Sequence, residues 1–405
     1  MKWYLNKILY RLAHLIMGVL IRRIDVPVPE LLTGVGCLKK LPALLKKSNV
    51  NRVLIVTDKG ISDLGLSSRL ITALESIDIF VTVFDGVQAN PTIQNIEDGV
   101  KIYLRSRCEG IVAFGGGSPM DCAKLIGARV SNRERSALQM RGGFKIPKKL
   151  PALHAVPTTA GTGSECTLAA VVTDPENREK FSVASHHLVP LSATLDPELM
   201  ISLPPHITAH TGMDALTHAV EAYIGKIGTS FTDSQAEKAV EIIFTDLEAV
   251  FKNGDDPNLR ANMAMASYSA GLAFTRALVG YVHAIAHNLG GLYGVPHGKA
   301  NAIVLPYILE FSRDACQEKL ARLAVVGKLG DGSEPKSELS VRFIEKVKAM
   351  NTNMEIPSKV AELKEEDIPL IAKRALKEGN PGYPVPKLMS QRECQTILRK
   401  LLPQN

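Results

Sequence analysis

Four histidines and an aspartate in the second half of the chain are spaced so that a metal ion could bind them. Asp214 and His218 stand four residues apart in GMDALTHAVEAY, and His283 and His287 repeat that spacing in VHAIAHN. Residues four apart lie on one face of a helix, so each pair can reach one ion. His297 follows in the turn PHG. A carboxylate with two or three imidazoles is typical of a catalytic divalent metal site with an open position.

Each of these histidines also has an ordinary structural interpretation. A buried imidazole on an apolar helix often only satisfies a backbone group, and for any single one of them that interpretation is favoured. Taken together they favour a metal site. A carboxylate and several imidazoles on apolar helix faces would cost stability unless they shared a partner.

A glycine-rich segment in the first half, GGGSPMDCAK at residues 115–124, lies where a predicted strand ends and a predicted helix begins. Glycine lets the backbone approach an anion closely, and Pro119 suits the first turn of a helix. The free N–H groups at such a helix start, together with the helix dipole, favour phosphate. An ordinary β–α turn is the alternative, because the segment is neither G-x-G-x-x-G nor a P-loop.

A second segment, PTTAGTGSE at residues 157–165, offers hydroxyl and backbone donors after another predicted strand. Two such loops in one α/β domain favour a dinucleotide over a single phosphate. Asp58 ends the first strand of the predicted sheet, where its carboxylate could accept hydrogen bonds from a ribose 2′-hydroxyl and would repel a 2′-phosphate. The sequence therefore favours NAD over NADP.

The elements that must position these residues alternate along the first half of the chain. Strands rich in β-branched residues are predicted at 53–58 and 79–85, helices at 61–76 and 92–107, and a further strand from 110. This order predicts a parallel, doubly wound sheet with helices on both faces. Ligands bind such sheets at the carboxyl ends of the strands.

After Pro204 and Pro205 the composition turns to alanine, leucine, methionine and histidine in helical periodicity. We therefore expect an α/β N-terminal domain followed by an all-α C-terminal domain. The expected division is a basic, apolar extension at 1–24, a dinucleotide-binding α/β domain at 25–204 and a helical metal-binding domain at 205–405.

Composition and charge exclude several classes of protein. The 405 residues are 45% hydrophobic and 22% charged, which excludes a disordered chain and a multispan membrane protein. The formal charge of +7 comes from residues 1–52, which hold ten basic and two acidic residues, whereas residues 53–405 hold 38 and 39. Because residues 53–405 are nearly neutral, an extended basic surface for binding nucleic acid is not expected there. Six cysteines without a C-x-x-C pair favour a reducing, cytoplasmic compartment.

The first 23 residues place basic side chains on both sides of an apolar stretch, Leu12–Ile21. That stretch is too short to cross a bilayer as a helix. A secretory signal is disfavoured, because Arg22 and Arg23 follow where small residues would be expected. Two interpretations stay open: a basic amphipathic helix on an anionic membrane, or a helix packed on the body or on a partner subunit.

In these motifs and in their order, the chain resembles the iron-containing, or group III, alcohol dehydrogenases. The matching segments run from Leu32 to about Pro306 and include FDGVQANPT, GGGSPMDCAK, VPTTAGTGSE, GMDALTHAVEAY and VHAIAHNLGGLYGVPHGKANAIVLPY. The resemblance implies the dehydroquinate synthase-like architecture, with a dinucleotide-binding α/β domain, a helical domain and a metal in the cleft between them. The basic arm before Asp25 lies outside the resemblance.

The resemblance also implies which residues act. His287 would lie beside the nicotinamide and the alcohol and would help to move the proton. The metal ligands would be Asp214, His218, His283 and His297. The NAD contacts would be Asp58, Asn90, Gly116, Gly117, Ser118, Asp121, Thr158, Thr159, Thr162 and Lys180.

The implied activity is the NAD-linked, reversible oxidation of a primary alcohol to its aldehyde by hydride transfer, in a cytoplasmic homodimer. Fe²⁺ is the expected ion and Zn²⁺ the alternative, because the same nitrogen and oxygen ligands accept either. A glycerol or diol dehydrogenase, or a lyase like dehydroquinate synthase, shares the architecture. A membrane-tethered redox sensor without activity is a further alternative, which the complete ligand set disfavours.

Overall fold

The computed structural model describes residues 2–177 and 179–403, which form two units. The α/β unit contains residues 25–203 and 255–268, and the helical unit contains the residues up to 24, residues 204–254 and the residues from 269 onward. The strands are β1 (Glu30–Thr33), β2 (Arg52–Asp58), β3 (Phe80–Val87), β4 (Gly110–Gly115), β5 (Gly142–Gly143), β6 (Ala152–Pro157), β7 (Ala169–Asp174), β8 (Glu179–Ala184) and β9 (Ser192–Leu195). The α-helices are α1 (Lys2–Ile21), α2 (Leu41–Lys47), α3 (Lys59–Asp63), α4 (Ser68–Glu75), α5 (Ile93–Arg105), α6 (Gly117–Ser131), α7 (Pro205–Ile224), α8 (Ser230–Lys252), α9 (Pro257–Ala277), α10 (Tyr281–Tyr293), α11 (His297–Val326), α12 (Lys336–Asn353), α13 (Ile368–Gly379) and α14 (Gln391–Lys400).

The α/β unit is built on a six-stranded parallel sheet with the strand order β1-β9-β6-β4-β2-β3. Val53 and Ile55 of β2 belong to one buried hydrophobic cluster, whereas Leu54 and Val56 belong to another. Successive side chains of a strand point to opposite faces, so the sheet is covered on both faces. Because both faces are buried, the sequence of β2 is a continuous apolar run instead of an alternation of apolar and polar residues. The predicted doubly wound α/β fold is confirmed.

A second, smaller sheet has the strand order β5-β8-β7, in which β7 and β8 are antiparallel. The sequence pattern does not predict this sheet. Its strand β5 is only two glycines long, which leaves no side-chain alternation to detect.

The helix predicted at 61–76 is wrong in its extent. The chain forms two short helices there, α3 and α4, which are separated by residues 64–67. Gly65 has a φ of 65°, in the left-handed region that glycine adopts at little cost. Asp58 caps α3, since its Oδ1 accepts a hydrogen bond from the Ile61 N–H at 3.0 Å.

The described residues from Pro204 onward contain helices and no strands. The predicted helical character of the C-terminal half is therefore confirmed. Pro205 stands in the first turn of α7, where its missing N–H leaves no helix bond unmade. Three of these helices, α7, α10 and α11, carry the predicted metal ligands.

Candidate active site

The four predicted metal ligands lie together in the helical unit. Asp214 and His218 are one turn apart on α7. His283 lies in the first turn of α10, and His297 begins α11. One ligand atom from each residue lies within 4.8 Å of those of the other three. The first three side chains are buried and His297 is half-buried, so the cluster is largely withdrawn from water.

A close approach between α11 and α7 brings His297 to Asp214. A Cβ atom built on Gly298 would lie 2.3 Å from the His210 carbonyl oxygen and 3.3 Å from the Asp214 Cβ. Only glycine allows this approach of one backbone to another. As a result, the His297 Nε2 atom lies 3.7 Å from Asp214 Oδ1.

The donor atoms of the cluster fit a divalent metal. Asn301 places its Nδ2 atom 2.6 Å from Asp214 Oδ1 and 3.2 Å from both His283 Nε2 and His297 Nε2. An amide nitrogen has two hydrogens and cannot satisfy three acceptors at once. A cation held by Asp214, His283 and His297 would satisfy these acceptors together. One carboxylate oxygen with imidazole nitrogens is a ligand set that both Fe²⁺ and Zn²⁺ accept.

Burial sets the protonation states of the cluster. It lowers the pKa of His283 well below its ordinary value, so this imidazole is neutral and can bind a metal. Burial also raises the pKa of Asp214 to about 7, while a hydrogen bond from Asn301 opposes that rise. A bound cation would stabilise the ionised carboxylate in this low-dielectric place.

Glu221, which the sequence analysis did not single out, fixes the orientation of His283. Its Oε2 lies 2.6 Å from His283 Nδ1 and also accepts the Gly280 N–H at 2.8 Å, while Oε1 accepts the Val282 N–H at 2.8 Å. His283 therefore donates from Nδ1 and keeps its lone pair on Nε2. Burial raises the pKa of Glu221 to about 7, although hydrogen bonds from the backbone N–H groups of Gly280, Val282 and His283 oppose that rise. Its place seven residues after Asp214, two turns along the same helix, is a signal that could have identified it.

His287 lies beside the cluster without belonging to it. Its ring stacks on that of His297, with 5.3 Å between the ring centres and 15° between the ring planes. The Nδ1 atom of His287 lies 2.7 Å from Glu378 Oε1, which also accepts a hydrogen bond from the Tyr383 hydroxyl at 2.6 Å. Glu378 thus fixes the tautomer, and Nε2 is the nitrogen left to exchange a proton.

Glu378 stays ionised although it is half-buried. Burial acts to raise its pKa, but His287 and the hydrogen bonds outweigh burial and hold the pKa below its usual value. The sequence analysis missed this residue. It lies 91 positions from His287 in the chain, in a stretch without a recognisable motif.

The predicted NAD contacts gather at one edge of the parallel sheet in the α/β unit. Strands β6, β4, β2 and β3 are neighbours and run parallel, so their carboxyl ends share an edge. Asp58 ends β2, and Asn90 follows β3. Residues 116–118 follow β4, and residues 158–162 follow β6.

Lys180, from the smaller sheet, joins this group through Asn90. Its Nζ donates to Asn90 Oδ1 at 2.7 Å, and the Asn90 N–H donates to Ser118 Oγ at 3.2 Å. Burial lowers the pKa of Lys180 to about 8. A phosphate nearby would favour the protonated amine.

The start of α6 has the features of an anion site. Within the described residues no side chain caps this helix, so the first N–H groups are free to bind phosphate. Cβ atoms built on Gly116 and Gly117 would lie 3.3 Å from Thr159 Oγ1 and 2.8 Å from Thr162 Cγ2. The Thr158 hydroxyl beside them is buried and has no hydrogen-bond partner in residues 2–177 and 179–403.

Asp121 is occupied by bonds within the protein. Its Oδ1 accepts the Ser164 hydroxyl at 2.8 Å, and its Oδ2 accepts the Val171 N–H at 2.9 Å. Lys124, one turn further along α6, donates from Nζ to the carbonyl and hydroxyl oxygens of Thr167, both at 2.9 Å. These bonds hold the threonine-rich loop against α6.

Comparison with known proteins finds relatives over most of the chain. A family profile described as "Iron-containing alcohol dehydrogenase" matches residues 29–197, and one described as "Fe-containing alcohol dehydrogenase family, C-terminal" matches residues 208–402. The 1,3-propanediol dehydrogenase of Citrobacter freundii is 40% identical over 356 residues, which cover 86% of this chain and 91% of that protein. The NAD-dependent methanol dehydrogenase of Bacillus methanolicus is 36% identical over 354 residues, which cover 86% and 92%. A crystal structure of a 1,3-propanediol oxidoreductase superposes with a TM-score of 0.90 at 37% identity, covering 93% of this chain and 99% of that one.

Proposed function

Because the chain belongs to the iron-containing alcohol dehydrogenase family, we propose that side chains of α7, α10 and α11 carry out its reaction. The protein is an NAD-dependent enzyme that interconverts a small alcohol and its aldehyde, and it uses a divalent metal. One observation carries the assignment of residues: a carboxylate and three imidazoles place a ligand atom each within 4.8 Å of one another.

The metal is held by the cluster on these three helices. When bound, it supplies Lewis acidity to the alcohol oxygen. Glu221 keeps His283 in the tautomer with a lone pair on Nε2, and Gly298 lets His297 approach α7. The proposed ligands are Asp214, His218, His283 and His297.

His287 is the proposed proton carrier. Its Nε2 takes the hydroxyl proton during alcohol oxidation and returns it during aldehyde reduction. The Glu378 carboxylate accepts the Nδ1–H and stabilises the imidazolium that forms. Stacking on His297 keeps the ring beside the metal ligands.

NAD, which supplies the hydride acceptor, is proposed to bind at the carboxyl edge of the sheet. The first N–H groups of α6 bind its pyrophosphate, with Lys180 and the Thr158 hydroxyl in support. Asp58 binds the ribose hydroxyl through Oδ2, because Oδ1 already caps α3. The proposed contacts are Asp58, Asn90, Gly116, Gly117, Ser118, Thr158, Thr159, Thr162 and Lys180. Asp121, whose two oxygens are bonded to Ser164 and Val171, supports this site by holding the threonine-rich loop in place.

The proposed substrate is a primary alcohol. A diol dehydrogenase is the second candidate, favoured by the relative named 1,3-propanediol dehydrogenase. 1-Propanol and 1,3-propanediol differ by one hydroxyl, so their kcat/KM values separate the two candidates. Equal values would support a general alcohol dehydrogenase, whereas a preference of tenfold or more for the diol, about 1.4 kcal/mol, would identify a diol enzyme.

Replacing His283 with Ala tests the site. Because this imidazole is a proposed ligand, we expect H283A to lose bound metal and NADH formation from 1,3-propanediol together. Metal content by mass spectrometry and the rate of NADH formation are the measurements. His186→Ala, in a short helix of the α/β unit, is the control and should keep both. An H283A protein that is active without metal would refute the assignment.

Fe²⁺ is the proposed ion, and Zn²⁺ is the alternative that the donor atoms also accept. Adding each ion to metal-free enzyme under anaerobic conditions tells them apart. The ion that restores the rate of NADH formation is the one that supports turnover.

We also propose a cytoplasmic homodimer that contacts a membrane peripherally through residues 1–23. The dimer is supported by β1, an edge strand in which Leu31 is exposed, and by Val28 and Val35, which are exposed before and after it. An edge strand with exposed apolar side chains is a template for pairing with another chain. Six free, buried cysteines suit a reducing compartment.

A further inference from the structure

Helix α1 presents an apolar face to solvent. Nine of its large apolar side chains are between 51% and 72% exposed, among them Leu5, Leu9, Leu12, Leu15 and Ile16. Their spacing of three and four residues places them along one side of the helix. Proteins seldom leave so large an apolar patch in water unless a partner or a membrane covers it.

The opposite side of α1 is fastened to the helical unit. The Arg11 guanidinium donates from Nη1 to the Val385 carbonyl and from Nη2 to the Pro386 carbonyl, each at 2.6 Å. His14 is buried, and a Cβ built on Gly18 would lie 3.1 Å from Ile227 Cγ2. These contacts occur on three successive turns, so they fix which side of the helix faces outward.

A groove between α1 and residues 386–388 extends the apolar surface. It has a volume of about 650 Å³, and Tyr4, Ile8, Leu12 and Leu15 line its helix side. Lys7 and Lys387 also border it, as does Glu393.

The fastened helix is placed to lie on a bilayer rather than to cross one. By length and composition alone, residues 3–21 could span a membrane. To do so, α1 would have to give up both Arg11 bonds and the burial of His14. Crossing would also bring the Lys7 and Arg11 charges into hydrocarbon.

Charge decides between a lipid surface and a second copy of the chain. The first acidic residue of the sequence is Asp25, so residues 1–24 carry cations only: Lys2, Lys7, Arg11, Arg22 and Arg23. Two copies of α1 packed on each other would bring these cations together, and α1 itself has no acidic residue to balance them; Glu393, at the border of the groove, is one anion against five cations. An anionic bilayer supplies the opposite charge along with an apolar layer to bury the exposed face.

We propose that α1 seats the enzyme on an anionic phospholipid surface, with its outward face in the bilayer interface and its inward face on the helical unit. This inference deepens the peripheral contact proposed above. It is independent of the dehydrogenase reaction, because α1 carries none of the proposed site residues. A protein that does not bind vesicles could therefore still form NADH, and a protein that forms no NADH could still bind vesicles.

Vesicle pelleting of the full chain tests the proposal. We expect the protein to pellet with phosphatidylcholine–phosphatidylglycerol vesicles at low salt, and at least tenfold less with pure phosphatidylcholine. The double variant Leu9→Glu/Ile16→Glu should lose at least tenfold of the binding while keeping its NADH formation. Leu138→Glu/Val341→Glu, which charges exposed side chains elsewhere, is the matched control and should bind as the unaltered chain does.

Two further readouts identify the occupant of the face. Trp3 is the only tryptophan of the chain and lies in α1, so its fluorescence reports on this helix alone. Seating along the bilayer predicts that vesicles of brominated phosphatidylglycerol quench it, and pelleting without quenching would overturn the proposal. The proposal would also be overturned if the protein stayed in the supernatant with anionic vesicles, or if an α1 variant had half the molar mass of the unaltered protein in solution. The second result would mean that the face is a protein interface.

Discussion

Glu378 is the acidic residue that orients His287, and replacing it with Gln tests whether that matters for turnover. The amide keeps the size of the side chain but cannot stabilise a positive imidazole as a carboxylate does. We expect kcat to fall about tenfold to a hundredfold, with little change in KM or metal content.

Tyr383→Phe is the matched control for Glu378→Gln. It removes one hydrogen bond to the same oxygen and leaves the carboxylate in place, so its effect on kcat should be smaller. Steady-state kinetics with 1,3-propanediol measure both. An unchanged kcat in E378Q would mean that the pair only supports the fold.

Among single residues, the sequence predicts which side chains meet when they are close together in the chain. Asp214 and His218 share one helix, so their spacing alone predicts that they lie together, and the structure brings them within reach of His283 and His297. Their binding of a metal stays a prediction. Glu378 reaches His287 across 91 residues, and no periodicity in the sequence marks such a contact.

Among the helices, the close crossing of α11 and α7 is the contact on which the cluster of predicted metal ligands depends. Gly298→Ala would place a methyl group 2.3 Å from the His210 carbonyl and push the start of α11 away. We expect metal affinity to fall at least tenfold and stability to drop by about 1–3 kcal/mol.

Gly99→Ala is the control for this change. Its Cβ would lie 2.2 Å from Ile126 Cδ1 in the α/β unit, so it should lower the thermal midpoint without changing metal affinity. Thermal unfolding and metal titration measure both variants. If G298A bound metal as tightly as the unaltered chain, the glycine would not be needed for the cluster.

Elements with long apolar runs could be predicted from the sequence, and those set by special backbone geometry could not. Strands β2 and β4 are buried on both faces, so their composition is distinctive. The break between α3 and α4 lies at Gly65, and a glycine within a helical pattern can either be tolerated or end the helix, so the sequence alone does not decide between one helix and two. The short strand β5 has no side chains to show alternation.

At the scale of the whole molecule, the proposed dimer depends on the exposed edge strand β1. Leu31→Glu would put a charge at the proposed seam, and we expect it to convert a dimer into a monomer. Sedimentation velocity gives the mass directly, and Leu138→Glu, elsewhere on the surface, should leave it unchanged. A mass that does not change in L31E would place the contact on another surface.

The division of the chain into domains at residues 24 and 204 remains a prediction from composition.

Residues Asp255–Tyr268 belong to the α/β unit although they follow part of the helical unit in the chain, and this limits which fragments of the protein could be expressed alone. Within that unit the Ser267 hydroxyl accepts the Gly163 N–H at 3.3 Å, and the Tyr268 carbonyl accepts the Cys166 thiol at 3.3 Å. A fragment ending at Leu203 would lack these groups and expose the loop that they support. The α/β unit therefore cannot be excised as one uninterrupted stretch of the polypeptide, and a chimaera with another dehydrogenase would have to exchange two separate segments together.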